Sequence, residues 1–475
     1  MSQEALSILR NTVFTVSAQV VVRLVNVVAL ALLTNYLGPE TYGRYTYAAY
    51  LGNLFSLIAD FRLNVPLVRD VAQEHGRGER YLHHLLSLRL VLSGVCLGLL
   101  LLSLPWTAPT LEEKRLLMVA GIASIIAAFS TTYAGLFQAL ERMEFVALQT
   151  LLQGIISAAA TLLTVWLQGP VMWVLLGPLA ANILSTLILA AYVRSWPGYH
   201  PWRWAWDWEF WRYLLKASLP IMGMAVLGQL HFRNDLVLLR QFHGERAVGI
   251  YGLPFRLVDA LIMVEISFVS AAFPVVSRLY ATSGESFQKA LEKLAKLSFL
   301  AGLPLGIGVD VLAPYILPLF GAEFAEGAVA LQWIIWVAIL TLASALTHLF
   351  LTILNLQHWI LLAFALALGV NLGLNFWLIP QWSWLGASIA KVSSEVVALG
   401  FTGWILLHRL PPRGWGRWLV RLGLATLAMG GALWLARGWG WLSIGAGLAV
   451  YGVSLWLTKG VEPEEWAWLW RGRRS

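Results

Sequence analysis

The chain is poor in charge. Of its 475 residues only 12% are Asp, Glu, Lys or Arg, while 59% are hydrophobic. A soluble domain carries about 25% charged residues, so most of this chain is not built to meet water. Cysteine is nearly absent. Cys96 stands alone in an apolar run, which excludes a disulfide within the chain and a zinc site resting on thiolates; it reads as a packed core thiol. No Gly-rich P-loop is present, so the chain does not hydrolyse ATP. HExxH is missing too, and so is a large outer loop with paired carboxylates, as a membrane glycosyltransferase or ligase would carry. No cleavable signal is expected, and the first apolar segment reads as the first transmembrane helix. The first apolar segment, Thr12 to Tyr36, exceeds the 7–15 residues of a signal core and lacks a small-residue cleavage site.

What is abundant is apolar length and tryptophan. The 25 Trp suit a protein with two membrane–water interfaces to anchor. A spanning helix needs about 20 mostly apolar residues. On that measure helices fall near 12–36, 43–60, 84–104, 116–139, 145–167, 171–193, 216–239, 247–276, 297–319, 329–353, 359–379, 384–407, 419–436 and 441–458. The fold class expected is an all-α polytopic membrane protein of about fourteen transmembrane helices. With the N-terminus placed in the cytoplasm, Lys and Arg gather in alternate loops. One side holds Arg62, Arg69, Arg77, Arg80, Arg142, Arg194, Arg203, Arg212 and Lys216, continuing through the later loops to Arg474; the other holds only Arg44, Lys114, Arg115, Arg240, Arg246 and Arg437. This bias predicts that both termini are cytoplasmic. It also accounts for the net charge of +8 by topology, with no nucleic-acid partner. Arg194–Arg212 holds six tryptophans among charges and is expected to lie along the interface as an amphipathic connector.

One turn is written twice. LLTNYLGPETYGRYTY (Leu32–Tyr47) returns as LLRQFHGERAVGIYGL (Leu238–Leu253), with Gly38 on Gly244, Gly43 on Gly249 and Tyr45 on Tyr251. Leu51 then falls on Leu257 and Asn53 on Asp259, and VPLVRD (Val65–Asp70) resembles FPVVSR (Phe273–Arg278). Each copy follows the first helix of a set of six. Gly38-Pro39 is expected to stop the first helix, and the echo to do the same for the seventh. The organisation predicted is a six-helix lobe over 1–193, a connector over 194–215, a second six-helix lobe over 216–407, and two further helices with a tail over 408–475. Transporters built from repeats carry their substrate site between the halves.

Charges at membrane depth cost at least about 2.5–3.5 kcal/mol at the helix centre and need partners or a wet cavity. Thr12, Thr15, Gln19, Arg23 and Asn26 share one helical face. That stripe is either a cavity wall whose guanidinium binds phosphate oxygens or a hydrogen-bond seam to another helix. Arg256 and Asp259 are one turn apart, as a local ion pair or as part of a cationic cavity. Arg233 shares a face with Gln229, and Asp235 with His231. These supply either a further cation and a proton acceptor or a buried bridge to a neighbouring helix. Glu265 has no partner one turn away on its own helix, which makes it an ion-coupling candidate or a protonated acid bonded to another helix. Lys391 and Glu395 are i,i+4 partners, read as a structural pair with an ion-coupling role as the alternative. Asp310, Asn371, Asn375 and His348 are weaker candidates. No metal ligand set or cofactor motif is visible, and the coupling ion expected is a proton or sodium.

The pattern L-G-P-E-x-Y-G-x-Y after the first helix, the stretch RNDLVLLRQFHGERAVGIYGLPFRLVDAL (Arg233–Leu261) and KASLPIMG (Lys216–Gly223) resemble the polysaccharide (Wzx-like) flippases of the multidrug/oligosaccharidyl-lipid/polysaccharide exporter superfamily. The resemblance covers nearly the whole chain. It implies translocation of a polyprenyl-pyrophosphate-linked oligosaccharide across a bacterial or archaeal cytoplasmic membrane by alternating access. It also implies glycosyltransferases and a polysaccharide polymerase as pathway partners, membrane lipid as surroundings, and no enzyme activity. In relatives that flip lipid-linked cell-wall precursors, arginines in the first and eighth helices line the central cavity; that carries Arg23 and Arg256 forward as substrate contacts. Two alternatives stay open: an ion-coupled exporter of small molecules from the same superfamily, and a membrane glycosyltransferase or ligase.

Overall fold

In a hydrocarbon layer every backbone N–H and C=O must be satisfied within the protein, and long apolar segments meet that demand as helices. The computed structural model describes residues 3–196, 199–200, 202–411 and 415–460, with side chains for all of these except 3–24, 263–267, 270 and 441. Among the described residues there is no strand. The helices are α1 (Gln3–Asp60), α2 (Asn64–Gln73), α3 (Gly78–Thr107), α4 (Leu111–Ala139), α5 (Met143–Trp166), α6 (Met172–Arg194), α7 (Trp208–Thr282), α8 (Gly284–Ile316), α9 (Ala328–Ile353), α10 (Gln357–Arg409), α11 (Trp415–Leu435) and α12 (Ser443–Leu457). Three of them are broken once: α1 at Gly38, α7 at Gly244 and α10 at Ser383. With α2 set aside as a short helix in a loop, the breaks resolve the chain into six segments, six more, and the final two. That is the pair of six-helix lobes with two additional helices. Nine helices among the described residues are long and apolar enough to cross a membrane, with Ser443–Leu457 a shorter apolar one.

The duplicated turn has one backbone conformation in both places. Gly38 has φ 67° and ψ 172°, and Gly244 has φ 75° and ψ −172°, a region that only glycine enters without strain. A Cβ at either position would meet nothing within 4 Å, so backbone freedom alone requires glycine there. Pro39 then continues the helix without needing a backbone donor. Other starts are set by caps. The Thr110 hydroxyl accepts from the Glu113 N–H at 3.3 Å while the Glu113 carboxylate accepts from the Thr110 N–H at 3.0 Å, a reciprocal pair that opens α4. Asp207 opens α7 by accepting from the Phe210 N–H at 3.1 Å.

The chain forms two compact units, Met1–Val237 and Leu238–Ser475. In the first, one end is closed by a hydrophobic cluster that includes Leu67 of α2, Leu82 of α3, Phe137 of α4, Val193 of α6, and Trp211 and Leu214 at the start of α7. The tryptophan-rich connector is therefore part irregular, up to Asp207, and part helix, with Trp211 seated in that cluster. The adjoining Trp202, Trp204, Trp206 and Trp208 remain exposed, as interfacial residues do. Asp70 pins the arrangement. Its carboxylate accepts from the Tyr81 and Tyr213 hydroxyls, each at 2.7 Å, and from Arg69 at 2.7 Å. Burial alone would push this carboxyl up, but hydrogen bonds from Arg69, Tyr81 and Tyr213 outweigh it and hold it below the usual range. In the second unit, His243 bonds to the Ile379 carbonyl at 2.7 Å, which ties the break at Gly244 to the segment preceding the break at Ser383.

Two outcomes follow from these contacts. Gly38→Ala or Gly244→Ala introduces a side chain into open space but an unfavourable dihedral, and each is expected to cost about 1–3 kcal/mol, read as a lowered thermal unfolding midpoint in detergent. The Asp70 pin has its pKa depressed on folding, so its stabilisation is present above the unfolded value of about 3.9 and fades as pH falls below it. Protease cleavage in the connector should rise below about pH 4, and Asp70→Asn should remove that pH-dependent step.

Candidate functional site

In the first unit the α1 backbone is helical through residues 12 to 26, so Thr12, Thr15, Gln19, Arg23 and Asn26 keep their common face. Asn26 is half-buried; the side chains of Gln19 and Arg23 lie outside the described residues. Two α7 residues lie within electrostatic range of Tyr50 in α1. Asp235 is buried, Arg233 is half-buried, and both act electrostatically on the Tyr50 hydroxyl. Asp235 also accepts from the Leu236 N–H at 2.9 Å. His231 is buried with its ring against Phe232.

Among the described residues of this unit an extended polar assembly centres on Arg89, a residue outside the sequence-based candidates. Its side chain is fully buried. The guanidinium donates to the Asp60 carboxylate at 2.9 Å and the Asn64 side-chain oxygen at 3.1 Å. It also donates to the Thr131 hydroxyl at 3.2 Å and the Thr132 hydroxyl at 2.5 Å. Asn64 in turn donates to the Thr131 carbonyl at 3.0 Å. A planar five-donor cation is suited to such a hub, and one arginine thereby locks α3 to the end of α1, to α2 and to α4. Beside it Phe61 and Arg62 both take positive φ, 43° and 54°, and Arg62 lies 3.9 Å from the other Asp60 oxygen. Next to this hub is a cavity of about 480 Å³ whose walls include Asn53, Ser56, Asp60, Asn64, Thr131 and Gln229. The signal was available: Arg89 is a charge inside an apolar segment, the same criterion that picked out Arg23. A separate polar seam joins the middle helices, with Gln153 donating to Asn182 at 2.7 Å and Asn182 to the Ala123 carbonyl at 3.0 Å.

In the second unit Lys391 and Glu395 are brought together as the spacing implied. Nζ and Oε1 are 3.1 Å apart, with both side chains at most 5% exposed. His348 of α9 acts electrostatically on the same carboxylate. Asn371 and Asn375 are fully buried, and the second donates to the first at 3.0 Å. Arg256 is exposed and Asp259 half-buried, and each makes polar or electrostatic contact. Glu265 sits on a helical backbone, with its side chain outside the described residues. The Asp310 carbonyl accepts from Gln332 at 2.9 Å. A second cavity, about 450 Å³, is walled by apolar groups such as Leu291, Phe299, Leu346, Leu406 and Trp415. Among the described residues no cluster of His, Cys, Asp and Glu is arranged to hold a metal ion.

Two six-helix sets with two extra helices, broken at equivalent glycines, define a polytopic transporter fold. Solved structures share it. A lipid II flippase MurJ in an inward closed conformation superposes with a TM-score of 0.73 at 14% identity, over 93% of this chain and 98% of that one. An inward-facing multidrug resistance MATE family transporter of the MOP superfamily gives 0.65 at 16% identity, over 82% and 96%. A MOP superfamily transporter from Pyrococcus furiosus gives 0.53 at 17%, over 85% and 95%. No curated protein matches the chain significantly. The family described as polysaccharide biosynthesis protein matches residues 8–280, and the MatE family matches residues 220–380. The chain belongs to the polysaccharide biosynthesis protein family.

The buried pair of the second unit gives a direct test. Removing one partner takes away the 3.1 Å countercharge of a buried ion, so Glu395→Gln or Lys391→Met alone should destabilise by about 3–5 kcal/mol. The double variant Lys391→Met/Glu395→Leu should recover most of that loss, as measured by thermal unfolding of the purified protein.

Proposed function

We propose that this protein is a flippase that carries a polyprenyl-pyrophosphate-linked oligosaccharide across the cytoplasmic membrane for cell-surface polysaccharide assembly, such as an O-antigen. The carrying observation is the sign of the intramembrane charge. The α1 polar stripe contains one ion, Arg23, and no carboxylate, and its helical register is unbroken. A guanidinium binds phosphate oxygens bidentately, whereas a cationic drug needs a surface of opposite sign. The match of the polysaccharide biosynthesis family over residues 8–280 supports the same reading.

In this reading transport proceeds by alternating access, open first to the cytoplasm, where both termini lie. Arg23, with Gln19, Asn26, Arg233 and Arg256, holds the pyrophosphate, while the prenyl tail stays in lipid. Asp235, Asp259, Glu265 and Glu395 are the carboxylates available to couple the cycle to protons or sodium, with no other cofactor. Glycosyltransferases supply the substrate and a polymerase consumes the product. The MatE match over residues 220–380 supports a second reading, a small-molecule exporter.

Transport in reconstituted vesicles separates the two. The protein should translocate a fluorescent lipid-linked oligosaccharide and leave a cationic dye gradient unchanged. Arg23→Ala should lower that rate at least tenfold without loss of membrane insertion, and Arg23→Lys should retain part of it. Dye export with no oligosaccharide transport would replace the flippase by the exporter.

A further inference from the structure

The cavity beside Arg89 has a more polar wall than the apolar cavity of the second unit. Asn53, Ser56, Asn64, Ser124, Thr131 and Gln229 supply neutral amides and hydroxyls, and Leu57, Val65, Ala127 and Ala128 supply apolar surface between them. Two charges, Asp60 and Arg62, complete the lining. Several of the polar groups are uncommitted. Ser124 and Gln229, both half-buried, make no hydrogen bond within the protein among the described residues. Asn53 donates its amide to the Ala49 carbonyl at 2.8 Å, which leaves its side-chain oxygen available, and the Ser56 hydroxyl, which donates to the Asn53 carbonyl at 2.8 Å, can still accept. Other wall groups are held rigidly, because Arg89 fixes the side chains of Asp60, Asn64 and Thr131 at once.

The charges narrow the ligand. Asp60 is neutralised by Arg89 at 2.9 Å and faced by Arg62 at 3.9 Å, so it offers no net attraction to a cation. Arg62 is half-exposed beside that carboxylate, a poor arrangement for a multiply charged phosphate. What remains is a neutral wall of groups that both donate and accept, interspersed with methyl and aliphatic surface. Ring hydroxyls donate and accept in the same way, and the C–H faces of a sugar pack on aliphatic carbon. The cavity volume of about 480 Å³ lies within the roughly 300–1,000 Å³ of small-ligand pockets.

We propose that this cavity is a saccharide subsite that takes a sugar ring of the transported head group, with Asn53, Ser124 and Gln229 as its hydrogen-bonding contacts and Arg89 as the positioning residue behind them. The sugar's source rests on the flippase reading; the binding chemistry does not. A free glycan and a lipid-linked one present the same hydroxyls, and the experiment distinguishes them.

The full-length protein in lipid nanodiscs is examined by saturation-transfer NMR with N-acetylglucosamine, galactose and glucuronate. At least one should give a transfer signal that falls more than threefold in Ser124→Ala/Gln229→Ala. Location is read from Asn53→Cys, since the native Cys96 is buried. A water-soluble maleimide should label it, and the binding sugar or a lipid-linked oligosaccharide should slow labelling at least threefold. Inorganic phosphate and sugar-free polyprenyl pyrophosphate should not. Absence of a transfer signal from every sugar overturns the subsite. So does a signal unchanged in the double variant, or protection by phosphate instead of sugar. Sugar binding without lipid-linked oligosaccharide transport would sink the flippase reading and leave the subsite standing; transport without sugar binding would do the reverse.

Discussion

Everything in this protein depends on how a chain disposes of polar groups where water is scarce. Among the described residues the backbone does it by forming helices along most of its length. Side-chain charge does it by pairing, and the Arg89–Asp60 contact shows what that entails. A single guanidinium at 2.9 Å from one carboxylate oxygen also gathers an amide and two hydroxyls. Its neutralisation is thereby spread over three other helices. The cost of burying the charge is offset by several directed bonds at once, and the same bonds make that corner of the lobe rigid.

The second lobe handles the same problem differently. Lys391 and Glu395 neutralise one another on a single helix, and His348 approaches from α9. A local pair of this kind leaves the surrounding helices free to pack through apolar surface, as the cluster of Leu346, Phe350, Ile405 and Leu406 does. The contrast matters for function. A network shared among helices resists relative movement of those helices. The 3.1 Å pair on one helix does not itself tie two helices together.

Much of this architecture was legible in the sequence, and the reasons are local. Helices follow from apolar length, and the breaks at Gly38 and Gly244 follow from the repeated glycine. The pairing of Lys391 with Glu395 follows from the 3.6-residue period. The break in α10 was also placed closely, between 379 and 384, although the residue that turns the chain is Ser383 and not a glycine. What stayed hidden is non-local. The hub around Arg89 draws on residues 25 to 43 positions away, and no spacing rule in one helix announces it. The short α2 helix carries too few residues to stand out in a polar loop. The tryptophan-rich connector read as one interfacial strip, yet Trp211 turns into the lobe while Trp206 and Trp208 remain outside.

Asp70 also bears on the order in which the lobe can be completed during synthesis. One of its hydroxyl partners, Tyr81, is only 11 residues on, but the other, Tyr213, lies 143 residues downstream. At about 5–20 residues per second that is roughly 7–30 s of ribosome time. Late in this interval the first six helices have been made, but the end of the lobe still lacks Trp211, Leu214 and the second tyrosine. The connector is thus a late-arriving clasp. Only when it emerges can the hydrophobic cluster close, and a nascent chain halted before residue 213 would hold six helices with one end still open.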